Sequence, residues 1–277
     1  MGLRINTNVT SLAAQRTLGA NNADQAKTLN KLSSGTRIVR SADDAAGLAI
    51  SEKLKAQIRG VNQAERNAND GISMIQTAEG GLTEVGNILV RMRELSIQSA
   101  SDTVGDSERN FTDLEYQNLK QEVERISQVT EFNGKKLLNG SGDKYDFQIG
   151  INNDDFQDRI KYQADLTNST MEGLGIDSLS VGSKEGAQNA LADLDSAIQN
   201  VSGQRAELGA VQNRLTSTVN NLQSYSENLS AANSRIRDTD YASETAKNTK
   251  LNILTNAGTS VLSQSNSQGQ AALKLIG

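Results

Sequence analysis

AQNALADLDSAIQNVSGQRAELGAVQNRLTSTVNNLQSYSENLSAANSRI, residues 187–236, decides the fold. Ala187, Leu194, Val201, Leu208, Leu215, Leu222, Leu229 and Ile236 recur every seven residues without a break. A second position four residues on carries Leu191, Ile198 and Val219, and also the polar Arg205, Gln212, Ser226 and Asn233. An unbroken heptad stripe of this length predicts a coiled-coil helix, because only a period near 3.5 keeps one face against a partner. At 1.5 Å per residue the helix is roughly 75 Å long. The polar intrusions point to a seam shared with several helices.

A matching run lies in the first half. Leu54, Val61, Ala68, Ile75, Leu82 and Leu89 keep the same period, Ile58 and Ile72 sit at the offset position, and Met92 and Leu95 carry the stripe onward. One helix is expected over about 43–100, antiparallel to the first, so that each buries the other's apolar face. A shorter helix is expected over 106–129, with Phe111, Leu114, Leu119, Val123, Ile126 and Val129 on its apolar face and Asp106 and Ser107 at its start. Asn133-Gly134 marks a turn. The period then becomes two. Tyr145, Phe147, Ile149 and Ile151, then Ile160, Tyr162, Ala164 and Leu166, alternate with polar residues around the turn-rich Asn152–Asp155. That pattern reads as a β-hairpin near 143–167 with one buried face. The predicted fold class is therefore mainly α, a long antiparallel coiled-coil bundle with a small β-hairpin.

Composition agrees. Of the 277 residues, 36% are hydrophobic and 3% aromatic, with no Pro, Cys, His or Trp. Average usage would place roughly 14 prolines in this length. Their absence leaves long helices uninterrupted. Without His and Cys the usual zinc sites and His-based triads are excluded. A net charge of −5 disfavours general nucleic-acid binding. Residues 1–40 run against that balance: Arg4, Arg16, Lys27, Lys31, Arg37 and Arg40 face the single acid Asp24. This basic end is a solvated face or a docking surface for an acidic partner. No stretch reaches the ~18 apolar residues of a membrane span. The N-terminus has no apolar signal core, and Asn6 breaks the myristoylation pattern. The chain is expected to be cytosolic, or exported without a cleavable signal.

Asp43 and Asp44 are the one arrangement that resembles an acid/base pair. Neighbouring helical positions point about 100° apart, which is poor geometry for such a pair. Ser41-x-x-Asp44 before an apolar run is instead a variant capping box, with Ser41 as the cap and two acids at the positive helix end. Asp154, Asp155 and Asp158 lack the Gly and terminal Glu of a calcium loop. No metal or cofactor is expected, and no enzymatic activity. At the two ends, Ile5, Val9 and Leu12, then Leu251, Leu254, Val261, Ala272 and Leu275, form thin apolar stripes interrupted by Gly258, Ser265 and Gln268. Such helices are too weak to stand alone in water, so both ends are expected to order on assembly.

LSSGTRIVRSADDAAGLAISEKL (32–54) is similar to the signature of bacterial flagellins, as are INTNVTSLAAQRTL (5–18), NDGISMIQTAEGGLTEV (69–85), VRMRELSIQSA (90–100), EFNGKKLL (131–138) and ILTNAGTSVLSQSN (253–266). Val39-Arg40, the stretch around Gly269 and the ending KLIG depart from the family pattern. The resemblance implies a hairpin-shaped subunit of a helical filament, with 1–41 and 238–277 paired as an inner coiled-coil domain and 42–237 as the outer-wall bundle. The variable outer domains of larger members are missing. It also implies type III export, a chaperone for the C-terminal segment, a filament cap, a hook–filament junction protein as neighbour, and an extracellular filament serving motility. In many members the VRMREL-like segment is recognised by Toll-like receptor 5; here that falls on Arg91, Glu94 and Leu95. These three are receptor contacts, or Leu95 is a seam residue and Arg91 pairs with acids in a subunit interface. The alternatives to a filament subunit are a hook–filament junction protein and a cytosolic coiled-coil signalling module.

Overall fold

The computed structural model describes residues 7–141 and 144–274, without the side chains of 166 and 268–274. The described residues form five α-helices: α1 (Val9–Ser34), α2 (Ala45–Ser99), α3 (Asp106–Val129), α4 (Lys184–Arg237) and α5 (Tyr241–Lys274). Between α3 and α4 lie two antiparallel hairpins, β1 (Glu131–Phe132) with β2 (Lys135–Lys136) and β3 (Lys144–Gln148) with β4 (Arg159–Gln163). The fold is mainly α, as the heptad pattern predicts. The chain divides into two compact units, Met1–Ala56 with Asn228–Gly277, and Gln57–Glu227.

In the second unit α2 and α4 run antiparallel. Arg93 bonds Asp195, Glu79 faces Arg205, Glu65 accepts from Gln223 and Asn62 accepts from Ser226, so partners descend one helix as they ascend the other. Val61, Ala68, Ile75, Leu82 and Leu89 are buried on α2, and Ala187, Leu194, Val201, Leu208 and Leu215 on α4. The companion positions on α4 differ from expectation. Ala190, Ala197 and Val211, three residues beyond each heptad position, are the buried ones. Arg205 is exposed and Ile198 half-buried. Small alanines beside large leucines keep the seam thin.

Helix α3 lies against this pair by a face that its hydropathy does not reveal. Arg109, Thr112, Tyr116, Val123 and Ser127 are buried, while Phe111, Leu114 and Val129 are exposed. Arg109 is pulled inward because it closes the α2–α3 connection: Nε donates to the Ser99 carbonyl and Nη2 to that of Ser101, each at 2.9 Å. Asp106 pairs with Arg109 rather than capping, and Gly105 is the N-cap. At Asn133-Gly134 both residues have positive φ, 52° and 75°, the two-residue turn that a tight hairpin requires. In β3–β4, Tyr145 pairs Tyr162 and Phe147 pairs Ile160. Tyr145, Ile149, Ile160 and Tyr162 are buried, whereas Ile151 lies past the strand and is exposed. Gly71 lets the hairpin approach α2: a Cβ there would stand 3.0 Å from the Phe147 ring.

Candidate assembly interface

The first unit is built differently. Among the described residues its buried hydrophobic side chains are few, namely Ile38, Leu229 and Leu251. Helices α1 and α5 nevertheless pair antiparallel along their length. Asn8 Nδ2 donates to the Ser265 carbonyl at 2.9 Å, Ser11 Oγ to Asn266 Oδ1 at 2.9 Å, and Gln25 bonds Asn252. The less exposed positions of α1 include Ser11, Ala14, Leu18, Asn21, Gln25, Thr28 and Leu32, with Lys31 beside the last; those of α5 are Glu244, Asn248, Leu251, Thr255, Gly258, Leu262 and Ser265. Both sets alternate in steps of three and four, so this is a heptad seam made largely of small and polar side chains. Thr28 Oγ1, Asn248 Oδ1 and Thr255 Oγ1 are buried there without hydrogen-bond partners among the described residues.

Of the residues expected along the terminal seam, Leu251 is buried. Val9, Leu12, Leu254 and Val261 face solvent, at 59%, 50%, 40% and 58% exposure. Ile5 and Leu275 lie outside the described residues, as does the side chain of Ala272. Leu29, Ile253 and Tyr241 are also exposed. Part of the apolar surface of each terminal helix is thus turned away from its partner within the chain, while Leu18, Leu32, Leu251 and Leu262 lie in the seam. The physical reason is the frame: on α5 the seam pairs Leu251, Gly258 and Ser265 with Asn248, Thr255 and Leu262, leaving Leu254 and Val261 on a different face.

The connection from α1 to α2 holds the aspartate pair. Gly35 closes α1 with φ 67°. The chain then bridges to the α4–α5 connection. The Arg37 amide donates to the Arg237 carbonyl, Arg37 Nη2 to that of Ile236 at 2.7 Å, and the Thr239 amide to that of Gly35 at 3.0 Å. Asp44, rather than Ser41, caps α2: its Oδ1 accepts from the Gly47 amide at 2.8 Å. Asp43 braces the turn before it, with Oδ2 accepting from the amides of Val39 at 3.1 Å and Arg40 at 2.9 Å. The Arg40 amide foremost, helped by that of Val39 and the charges of Lys31 and Arg40, holds the Asp43 carboxyl below its ordinary range, although burial, second in size, opposes it.

On α2 the three residues singled out by resemblance divide. Leu95 is buried in the core, at 2% exposure. Arg91 is exposed and bidentate to Glu115 of α3, with Nε at 3.1 Å and Nη2 at 2.9 Å, while Nη1 reaches Glu94 at 2.9 Å. Glu115 is a member of this cluster that sequence reading misses, because 24 residues separate it from Arg91. Close by on the exposed surface of the same helices lie Val90, Phe111 and Leu114.

These features define a class: a mainly α structural protein whose working parts are helix faces. Among the described residues no helix is long and apolar enough to cross a membrane. The family model for the bacterial flagellin N-terminal helical region matches residues 5–143, and that for the flagellin C-terminal helical region matches 191–276. The chain is 45% identical over 274 residues to a flagellin of Halalkalibacterium halodurans, covering 98% of this chain and 99% of that one. It is 43% identical to a flagellin of Bacillus subtilis, covering 99% and 100%. It is also 44% identical to the flagellar filament 30.7 kDa core protein of Treponema maltophilum, covering 98% and 99%. Among solved structures it resembles the Bacillus cereus flagellin crystal structure, with TM-score 0.51 and 31% identity, over 61% of this chain and 94% of that one. A flagellar hook-associated protein of Vibrio parahaemolyticus shares the fold, with TM-score 0.56 at 15% identity. The chain belongs to the bacterial flagellin family. It is a structural subunit of the extracellular flagellar filament, not an enzyme, and the junction-protein alternative is not favoured.

Proposed function

We propose that the chain polymerises for swimming motility through the outward apolar stripes of its two terminal helices. Residues 1–41 and 238–277 form the inner wall of the tube and 42–237 the outer wall. One observation carries this reading: Val9, Leu12, Ile253, Leu254 and Val261 are exposed on helices that already have a partner within the chain. Apolar rows left uncovered in this way mark surfaces for further copies. The subunit leaves the cell by the flagellar type III route, its C-terminal helix masked by an export chaperone. It then adds beneath a cap protein, above a hook–filament junction protein. Toll-like receptor 5 reads the exposed Arg91–Glu94 pair on the released monomer; buried Leu95 supports that surface from beneath.

The test is seeded elongation of purified chain, followed by light scattering and electron microscopy. Val261→Asp places a carboxylate on the outward stripe without touching the intrachain seam. Its expected outcome is a helical monomer with native circular dichroism that fails to elongate. Native-diameter filaments from Val261→Asp would overturn the assignment of this face.

A further inference from the structure

The basic N-terminal stretch has a counterpart elsewhere in the molecule. Within the first unit, a recess of about 390 Å³ is bordered by Ala23, Ala26, Lys27, Lys31, Val39 and Arg40. Its volume lies in the range of pockets that take organic groups. The alanines and the exposed Val39 make an apolar wall, and three cations border it against one carboxylate, Asp43. That carboxylate is already engaged by the amides of Val39 and Arg40. Lys27 also stands 3.6 Å from Asp24 on the exposed side of α1. The recess is therefore basic, apolar along one wall, and wide enough for one ring.

In the second unit, the connection between β3 and β4 holds up such a ring. Phe156 is 92% exposed. It is not a loose tip. Asp154 Oδ1 accepts from the Phe156 amide at 2.9 Å and the Gln157 amide at 2.8 Å. The buried Asp158 accepts from the Asp154 amide at 3.0 Å, and its carbonyl takes the amides of Ile149 and Gly150. Asp155 is tied to Lys161 on β4. Residues 152–157, NNDDFQ, carry two carboxylates and no cation. An aromatic side chain on a braced backbone is complementary to the recess in polarity, and Asp154 beside it in charge, Asp155 being paired already with Arg159 and Lys161. Holding the loop in advance also lowers the entropic cost of docking.

We infer that in the filament the tip Asn152–Gln157 of one copy, led by Phe156, seats in the Ala26/Lys31/Val39/Arg40 recess of a neighbouring copy. The inference rests on the filament reading above. Tip and recess are different surfaces, so the contact is heterologous. Repeated head to tail, such a contact continues from copy to copy, as a filament needs.

The absence of cysteine makes the test clean. Phe156→Cys and Ala26→Cys chains are mixed in equal amounts, seeded into filaments and oxidised. A disulfide requires Cα atoms within about 7 Å. Covalent dimers are expected in mixed filaments and in neither single-variant filament. Normal mixed filaments without dimers, or dimers in Phe156→Cys filaments alone, overturn the contact. Phe156→Ala is expected to raise the concentration needed for elongation by about tenfold or more, the factor that burying a phenyl ring supplies. Should the cysteine variants not elongate, a helical reconstruction of native filaments decides: residues other than 152–157 against Val39 overturn the contact. A native chain that forms no filament overturns the filament reading itself, whereas filaments lacking this contact overturn only the inference.

Discussion

At the residue scale, Asp43 and Asp44 show how two identical side chains divide a structural task. Asp44 satisfies a helix amide that would otherwise lack a partner, and Asp43 fixes the turn that brings the chain into the helix. That neither acid does chemistry follows from their adjacency. Which residue is the cap does not, because Ser41 and Asp44 are both good caps and only the path of the backbone chooses between them. The Arg91–Glu115 pair was hidden for a related reason: it depends on how α3 is rotated against α2. Asp44→Ala should cost about 1 kcal/mol of stability, the usual value of a lost N-cap, read as a lower urea midpoint with unchanged slope. Asp43 makes a pH prediction. Its carboxyl is held below the ordinary value of 3.8, so its contribution is fully present above that value. It is lost as the pH falls through the lowered folded value. The protection of the Val39 and Arg40 amides, taken relative to their intrinsic exchange rates, should therefore fall on acidification below about pH 4. Asp43→Asn should remove most of this pH dependence; an unchanged acid response in that variant would exclude Asp43 as its source.

At the scale of elements, the two helix pairs were unequally legible. The α2–α4 seam is written in Leu, Ile and Val at an unbroken period, so its existence follows from hydropathy, and antiparallel pairing is the economical way to close it. The α1–α5 seam carries little such signal. Its buried positions include Ser11, Thr28, Asn248, Thr255 and Ser265, and hydropathy alone places Leu254 and Val261 in it when they face outward. Helix α3 misleads in the same way: Phe111 and Leu114 are exposed while Arg109 is buried, because the guanidinium serves the carbonyls of the preceding turn. The polar seam has an energetic consequence. Thr28 Oγ1 and Thr255 Oγ1 are buried without partners among the described residues. An unsatisfied buried hydroxyl costs about 1 kcal/mol or more. Thr28→Val and Thr255→Val keep shape and β-branching. Each should stabilise the α1–α5 pair by about 1 kcal/mol, seen as slower amide exchange in α5 with α2 unaffected. Faster α5 exchange in both variants would mean that the hydroxyls have partners after all.

At the scale of the whole molecule, apolar burial is concentrated in one of the two units. The continuous core, from Ala68 to Leu215, belongs to Gln57–Glu227. The unit holding the chain ends keeps Ile38, Leu229 and Leu251 inside and leaves Val9, Leu12, Ile253, Leu254 and Val261 out. Burial supplies about 25 cal/mol per Å² of apolar surface, so the two units differ greatly in the term that opposes chain entropy. A free monomer should then unfold in two steps, with α1 and α5 losing amide protection well before the α2–α4 core. Polymerisation reverses the difference, because copies that cover the outward stripes stabilise only the folded ends. Hydrogen exchange on monomer and filament checks both statements. Protection in α1 and α5 should rise by orders of magnitude on assembly, while that of Ile75, Leu82 and Leu208 stays nearly constant. Equal protection of α5 in the two states would mean that the terminal stripes are not the polymer contact, and that the weak ends owe their order to something within the single chain.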